Sequence, residues 1–216
     1  MLINILTLFP NYFDKTLHSS MLQKAQESNK VKFKIVNTRN FAQDKHQITD
    51  EAPYGGGAGM IMKVEPIDFA LKSLNVKKGQ SNKKIILTSA KGRVFTQSMA
   101  DKFSKLSELT IICGHYQGVD ERVAKYLVDE EVRIGDYVLT GGEPAVLVIS
   151  DAVVRLIPGV LGNMDSLKQE SHSKPGLMGY PQYTRPELYK DWEVPKVLLS
   201  GDHKKIQQWR KNHLSK

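Results

Sequence analysis

One cysteine, Cys113, in 216 residues excludes an internal disulfide and any zinc site built from several thiolates. Cys113 lies inside an apolar run, so a buried, inert thiol is expected of it. Long hydrophobic runs are missing too: no stretch approaches the roughly 20 apolar residues that span a bilayer. The first residues, MLINILTLFP, have neither the basic region nor the apolar length of a signal peptide. A cytoplasmic chain with no membrane partner is the expectation. Negative charge is in short supply as well. Asp and Glu number 23 against 31 Lys and Arg, giving a net charge of +8 and a pI near 9.4. That balance points to a polyanionic partner without separating RNA from DNA or a membrane surface. Internal repeats and low-complexity segments are also missing.

The hydrophobic residues, 40% of the chain, suffice for one core with a smaller appendage. Leu2 to Leu8 reads as a buried strand, and Val31, Phe33 and Ile35 alternate with lysines as a half-exposed one. Further strands are expected at Lys84 to Leu87 and Leu109 to Cys113, with helical patterns at Pro66 to Leu74 and Thr96 to Leu106. Such alternation predicts an α/β domain with a mostly parallel sheet. Pro144 to Ile157 is apolar and helix-compatible, opened by a proline in its first turn and closed by Pro158-Gly159. Residues 1–160 therefore read as the main domain. Residues 161–186, rich in Gly, Pro, Ser and His, read as a linker or active-site loop. Residues 187–216 read as a short basic segment, helical from the Ser200-Gly201-Asp202 cap signal onward, with Lys204, Lys205 and Arg210 available to a nucleic acid or simply solvated.

Two glycine-rich segments stand out. Pro53 to Met60, PYGGGAGM, fails the Walker A test because Met60-Ile61 stands where Lys-Ser/Thr is needed. It fails the dinucleotide fingerprint too, since Met60 occupies the third-glycine position. A Gly55-x-Gly57-x-Gly59 spacing matches the loop of Rossmann-type methyltransferases, but no apolar strand precedes it; a bend that lets another segment or subunit pack closely is the better reading. The second segment, Ile134 to Glu143 (IGDYVLTGGE), joins a strand edge to a double-glycine turn and a helix start. Gly141 and Gly142 leave room for a ligand, and Asp136 and Glu143 frame the turn with negative charge, which suits a cation better than a phosphate. The stretch CGHYQGVDERV from Cys113 and the residues Leu87 to Arg93 follow predicted strands in the same way. Three loops thus meet at the carboxyl edge of the sheet, where open α/β sheets bind ligands.

PYGGGAGM, CGHYQGVDERV, IGDYVLTGGE, IPGVLGN, the later Tyr183-Thr184-Arg185-Pro186 and Val197 to Gly201 occur in the order found in bacterial tRNA (guanine-N1)-methyltransferases of the TrmD type, which the chain resembles from its first strand to about Arg210. The resemblance implies a SPOUT methyltransferase: a deep trefoil-knotted, mostly parallel sheet flanked by helices, with a small, shortened helical C-terminal domain. Topology rules alone favour an unthreaded sheet. It implies S-adenosylmethionine held by Leu87, Thr88, Ser89 and Ala90, by Gly114, Tyr116 and Gln117, and by Ile134, Gly135, Tyr137, Leu139, Gly141 and Gly142. It implies methylation of N1 of the guanosine at tRNA position 37, with Glu170 as general base, Arg155 stabilising charge on O6, and Arg185, Lys204, Lys205 and Arg210 on the tRNA. A homodimer with its active site at the subunit interface and Mg2+ in turnover are further implications. Three positions depart from the family pattern: Glu170 replaces an Asp in Asp-Ser-Phe, Gln117 a frequent Glu, and Gly179 a frequent Asp. The chain also stops some tens of residues short of typical members. A non-catalytic RNA-binding SPOUT scaffold and a SPOUT methyltransferase with another RNA target remain open at this point.

Overall fold

The computed structural model describes residues 1–162, 170–174 and 176–214, in two compact units, 1–162 and 163–216. In chain order the first unit runs β1 (Leu2–Thr7), α1 (Ser20–Glu27), β2 (Lys32–Asn37), β3 (Asp50–Glu51), β4 (Ile61–Met62), α2 (Val64–Ser73), β5 (Lys83–Val94), α3 (Gln97–Ser104), β6 (Glu108–Cys113), β7 (Glu130–Arg133) and α4 (Glu143–Val154). The main sheet has the order β2-β1-β6-β5-β7, and every neighbouring pair in it is parallel. β3 and β4 form a separate antiparallel pair.

Each central strand feeds apolar side chains alternately to two layers, as the period of two requires. Ile3, Ile5, Ile86, Leu109, Ile111 and Val132 pack in the cluster with Leu22, Phe103, Val146, Ile149 and Val153, which come from α1, α3 and α4. Leu6, Ile85, Leu87 and Ile112 pack on the opposite face with Ile67, Ala70 and Leu71 of α2. The mostly parallel, helix-flanked α/β architecture expected from the pattern is the one observed. Thr96 caps α3 by accepting the Met99 N–H, and Pro144 stands in the first turn of α4, as the start signals predicted.

Departures have local causes. β5 runs to Val94, well past Leu87, because Thr88 and Arg93 both pair with Val132 while Ser89 to Gly92 bulge out between them. A bulge of small and polar residues carries no strand alternation, so the pattern ended early. Gly92 permits it: a Cβ there would lie 2.5 Å from the Val132 amide nitrogen. In β7 only Val132 is buried, so little pattern marks that strand.

One polar group of side chains crosses the sheet interior. Buried Asn4 donates to Glu108 Oε1 at 2.7 Å and to Thr110 Oγ1 at 3.0 Å, and Lys83 Nζ lies 2.6 Å from Glu108 Oε2. Pairing on both carboxylate oxygens offsets the cost of hiding the charge.

The second unit contains the hairpin β8 (Leu188–Tyr189) and β9 (Trp192–Glu193), then α5 (Lys196–Leu199) and α6 (His203–Asn212). Asp202 caps α6, accepting the amides of Lys204 and Lys205 at 3.1 Å each. The hairpin was not anticipated, since two-residue strands are too short to show a period. None of this unit's described residues is buried. No helix among the described residues is long and apolar enough to cross a membrane.

Candidate active site

The bulge within β5 and the loops leaving β6 and β7 meet at one edge of the sheet and enclose a cleft of about 560 Å³. That lies within the ordinary range of small-ligand sites. Leu87, Thr88, Ser89 and Ala90 contribute from β5, Gly114, Tyr116 and Gln117 from the β6 loop, and Ile134, Gly135, Tyr137, Leu139, Gly141 and Gly142 from the β7 loop. All thirteen positions named from the sequence thus line one cavity. Lys91, His115, Val138 and Thr140 line it as well; His115 stands inside a motif already singled out, but nothing in its spacing distinguished it from a packed histidine.

The loops interlock through backbone. The Gly142 N–H donates to the Gly114 carbonyl at 2.7 Å, and His115 bridges Gly141 in antiparallel fashion. Gly142 opens α4, and a Cβ on it would fall 2.0 Å from Thr88 Oγ1, 2.9 Å from Gly114 N and 3.0 Å from Cys113 Cα. The room left by this glycine is therefore taken by neighbouring loops, not held open for a ligand. Thr88 Oγ1 donates to the Ile112 carbonyl and accepts the Gly114 N–H, both at 3.1 Å, so it is fixed in place.

PYGGGAGM behaves as the bend expected of it. Gly55, Gly56, Gly57 and Gly59 all have positive φ, and a Cβ on Gly59 would meet Gln117 Cγ at 2.5 Å. The segment lies against the β6 loop, with Gln117 N–H donating to the Met60 carbonyl at 3.1 Å and Met62 N–H to the Gly118 carbonyl at 3.0 Å. Tyr116, between them, takes φ +58°, an uncommon conformation for a side chain of its size and a mark of functional loops. Burial, then the nearby Asp50 charge, pushes its phenol above the usual range.

Charge around the cleft differs from the reading that Asp136 and Glu143 frame the turn together. Asp136 is exposed and paired with Arg133 Nε at 2.8 Å. Glu143 is 3% exposed and turned inward, accepting the Thr7 hydroxyl at 2.7 Å. As the first residue of α4 it also sits at the positive end of the helix dipole. Lys91 is bonded to Glu121, which raises its pKa. Cys113 is the buried thiol expected: burial first, then the Glu143 charge, pushes it well up.

Arg155 is half-buried at the C-terminal end of α4. At 1.5 Å per residue the helix carries its backbone about 20 Å along the axis from Gly142, and Arg155 is not among the residues that line the cleft. Glu170 belongs to the second unit, where its carbonyl accepts the Ser173 N–H at 3.1 Å. Arg185, Lys204 and Lys205 are exposed, and Arg210 lies over the Tyr180 ring at 5.1 Å, beside a groove formed with Tyr183 and Trp209. Among the described residues no three His, Cys, Asp or Glu side chains converge as metal ligands would.

The family model for tRNA (Guanine-1)-methyltransferase TrmD matches residues 1–216. The chain belongs to the TrmD family. Among curated TrmD relatives, the tRNA (guanine-N(1)-)-methyltransferase of Carboxydothermus hydrogenoformans is 52% identical over 98% of this chain and 81% of its own length. That of Halalkalibacterium halodurans is 49% identical over 98% and 85%, and that of Mycoplasmopsis synoviae 47% over 97% and 90%.

Proposed function

We propose that the cleft binds S-adenosylmethionine and that this chain methylates N1 of the guanosine at tRNA position 37, immediately 3′ of the anticodon. The observation that carries the proposal is the convergence of three glycine-bearing loops on one cavity in a TrmD chain whose relatives are tRNA (guanine-N(1)-)-methyltransferases. Close-packed glycines put peptide groups at the cleft wall, and Leu87, Ile134 and Leu139 give it apolar surface, a combination that fits a nucleoside carrying a charged thioether. Leu87 to Ala90, Gly114 to Gln117 and Ile134 to Gly142 would hold it. When bound, it supplies an electrophilic methyl group.

Guanine N1 carries a proton, so its lone pair is free to attack only as that proton leaves. Glu170 takes the proton, and Arg155 stabilises the negative charge that develops on O6. Because α4 carries Arg155 far from its own cleft, the working site belongs to a homodimer in which one subunit completes the other's cleft. Val148, 48% exposed, and the partly exposed Leu147 and Ala152 support this: they put apolar side chains on the outer face of α4 beside the exposed Asp151. The interlocked loops after β6 and β7 support a trefoil-knotted SPOUT topology. Within it, residues 1–160 form the cofactor domain, 161–186 the linker and active-site loop, and 187–216 the tRNA-binding segment through Lys204, Lys205 and Arg210, with Arg185 at the end of the linker also on the tRNA. Part of the linker, 163–169 and Pro175, lies outside the described residues. Cytoplasmic action follows from a tRNA substrate. Mg2+ belongs to the same reading for turnover; among the described residues no three His, Cys, Asp or Glu side chains gather to hold it.

Incubating the purified protein with S-adenosylmethionine and unfractionated tRNA, then mapping the product by mass spectrometry, tests the proposal. Methylation at guanine N1 is expected. A product on a ribose oxygen or another base overturns it.

A further inference from the structure

Glu143 is a carboxylate hidden beneath the cleft, and a buried charge is costly unless every oxygen finds a donor. Oε1 accepts the Thr7 hydroxyl at 2.7 Å, and Thr7 Oγ1 in turn accepts the Phe9 N–H at 2.9 Å. The Cys113 thiol faces the same carboxylate. Oε2 lies 3.8 Å from His115 Nδ1, which is itself buried and has no hydrogen-bond partner. An unpartnered ring nitrogen and a carboxylate oxygen thus face each other across a gap less than 1 Å longer than a hydrogen bond. The imidazole is held there by neighbouring rings, with the centroids of Phe9 and Tyr116 each 4.9 Å away. Gly141 leaves the gap open, since a Cβ on it would fall 2.3 Å from His115 Nδ1 and 2.5 Å from Glu143 Oε2. His115 belongs to the β6 loop and Glu143 follows the β7 loop directly, so the pair joins two walls of the cleft.

We propose that His115 and Glu143 form a carboxylate–imidazole pair that positions these two loops for S-adenosylmethionine. His115 Nδ1 carries its proton toward Glu143, and tightening of the loops around the cofactor shortens the 3.8 Å separation to a hydrogen bond. A carboxylate at Nδ1 also fixes the ring tautomer, leaving Nε2 as an acceptor. His115 is a positioning residue in this account, acting through the loops. The inference rests on the reading that the cleft holds S-adenosylmethionine.

Calorimetric titration with S-adenosylmethionine tests it in the full-length wild type, His115→Asn and His115→Leu, with circular dichroism to confirm folding. Asn places an amide where Nδ1 stands and keeps the affinity within about threefold, whereas Leu fills the space without a donor and loses about tenfold or more, as expected for a hydrogen bond to a charged acceptor. Nitrogen-15 NMR of the wild-type imidazole with S-adenosylmethionine bound gives an independent readout: Nδ1 protonated, Nε2 not. Equal affinity of wild type and His115→Leu, or a ring protonated at Nε2 alone, overturns the pair while leaving the cofactor reading standing. A wild type that binds no S-adenosylmethionine overturns both.

Discussion

Gly142→Ala adds one methyl group at the most crowded point of the loop junction. The new Cβ would lie 2.0 Å from Thr88 Oγ1, 2.9 Å from Gly114 N and 3.0 Å from Cys113 Cα. Two of those atoms are backbone. The third is a hydroxyl held by two 3.1 Å hydrogen bonds, so none can move freely. Overpacking of this kind costs about 1–3 kcal/mol, and turning Thr88 aside gives up about 1 kcal/mol for each bond lost. A total of about 2–4 kcal/mol lowers the melting temperature of a chain this size by about 5–15 °C. Thr88, Gly114 and Gly142 line the cleft, so affinity for S-adenosylmethionine falls at least about tenfold alongside, a change of about 1.4 kcal/mol. Scanning calorimetry and isothermal titration read the two effects. Gly162→Ala is the stability control: its Cβ meets nothing within 4 Å and its φ is not positive, so it leaves the melting temperature unchanged. Thr88→Ala combined with Gly142→Ala removes the 2.0 Å contact but not the backbone ones, and recovers part of the loss. A Gly142→Ala protein with wild-type melting temperature and affinity refutes the account of the junction.

Glu170→Gln keeps the side-chain shape without the base; single-turnover methylation stops while calorimetric binding of S-adenosylmethionine stays at the wild-type level. Glu108→Leu removes one of the two acceptors of the buried Asn4 amide and the partner of the Lys83 ammonium, costing about 1–3 kcal/mol in urea unfolding, with Lys83, one-third exposed, recovering part of its hydration. Cys113 resists a maleimide in the native protein at neutral pH and reacts once the chain is unfolded, because burial holds its thiol protonated. The backbone N–H of Lys205, with further help from its side chain and the Lys204 N–H, depresses the Asp202 pKa below its ordinary 3.8. A depressed carboxylate stabilises the fold above its unfolded value and stops doing so as pH falls through the folded one. Helical circular dichroism from α6 therefore persists at pH 5 and declines below about pH 4, the ordinary aspartate range, and Asp202→Asn removes most of that dependence.

The legible parts of this molecule were those in which burial leaves a period. β1 and β6 are buried almost end to end and mostly apolar because helices cover both faces of the sheet, and α4 announced itself with a proline at its start and Pro158-Gly159 after its end. The strand ends then located the cleft: every residue named there from motif order lies on its wall. What the pattern did not carry was the direction of side chains. Glu143 reads as a loop charge in one dimension, yet the first turn of α4 points it at Thr7. Gly142 reads as room for a ligand, yet Thr88 occupies that room. His115 was passed over because a histidine between Phe9 and Tyr116 has the same sequence signature whether or not a carboxylate waits behind it. The length of α4 is what separates Arg155 from the cleft, a distance that no motif spacing reveals until the segment is known to be a single helix.

The proposed reaction of this chain is methylation of the guanosine beside the anticodon. Two tRNA transcripts differing only at position 37, guanosine in one and adenosine in the other, with methyl-labelled S-adenosylmethionine and nucleoside mass spectrometry, test it most directly. 1-Methylguanosine is expected from the first and no labelled nucleoside from the second. Equal labelling of both transcripts, or labelling of neither under conditions in which the protein binds S-adenosylmethionine, contradicts it.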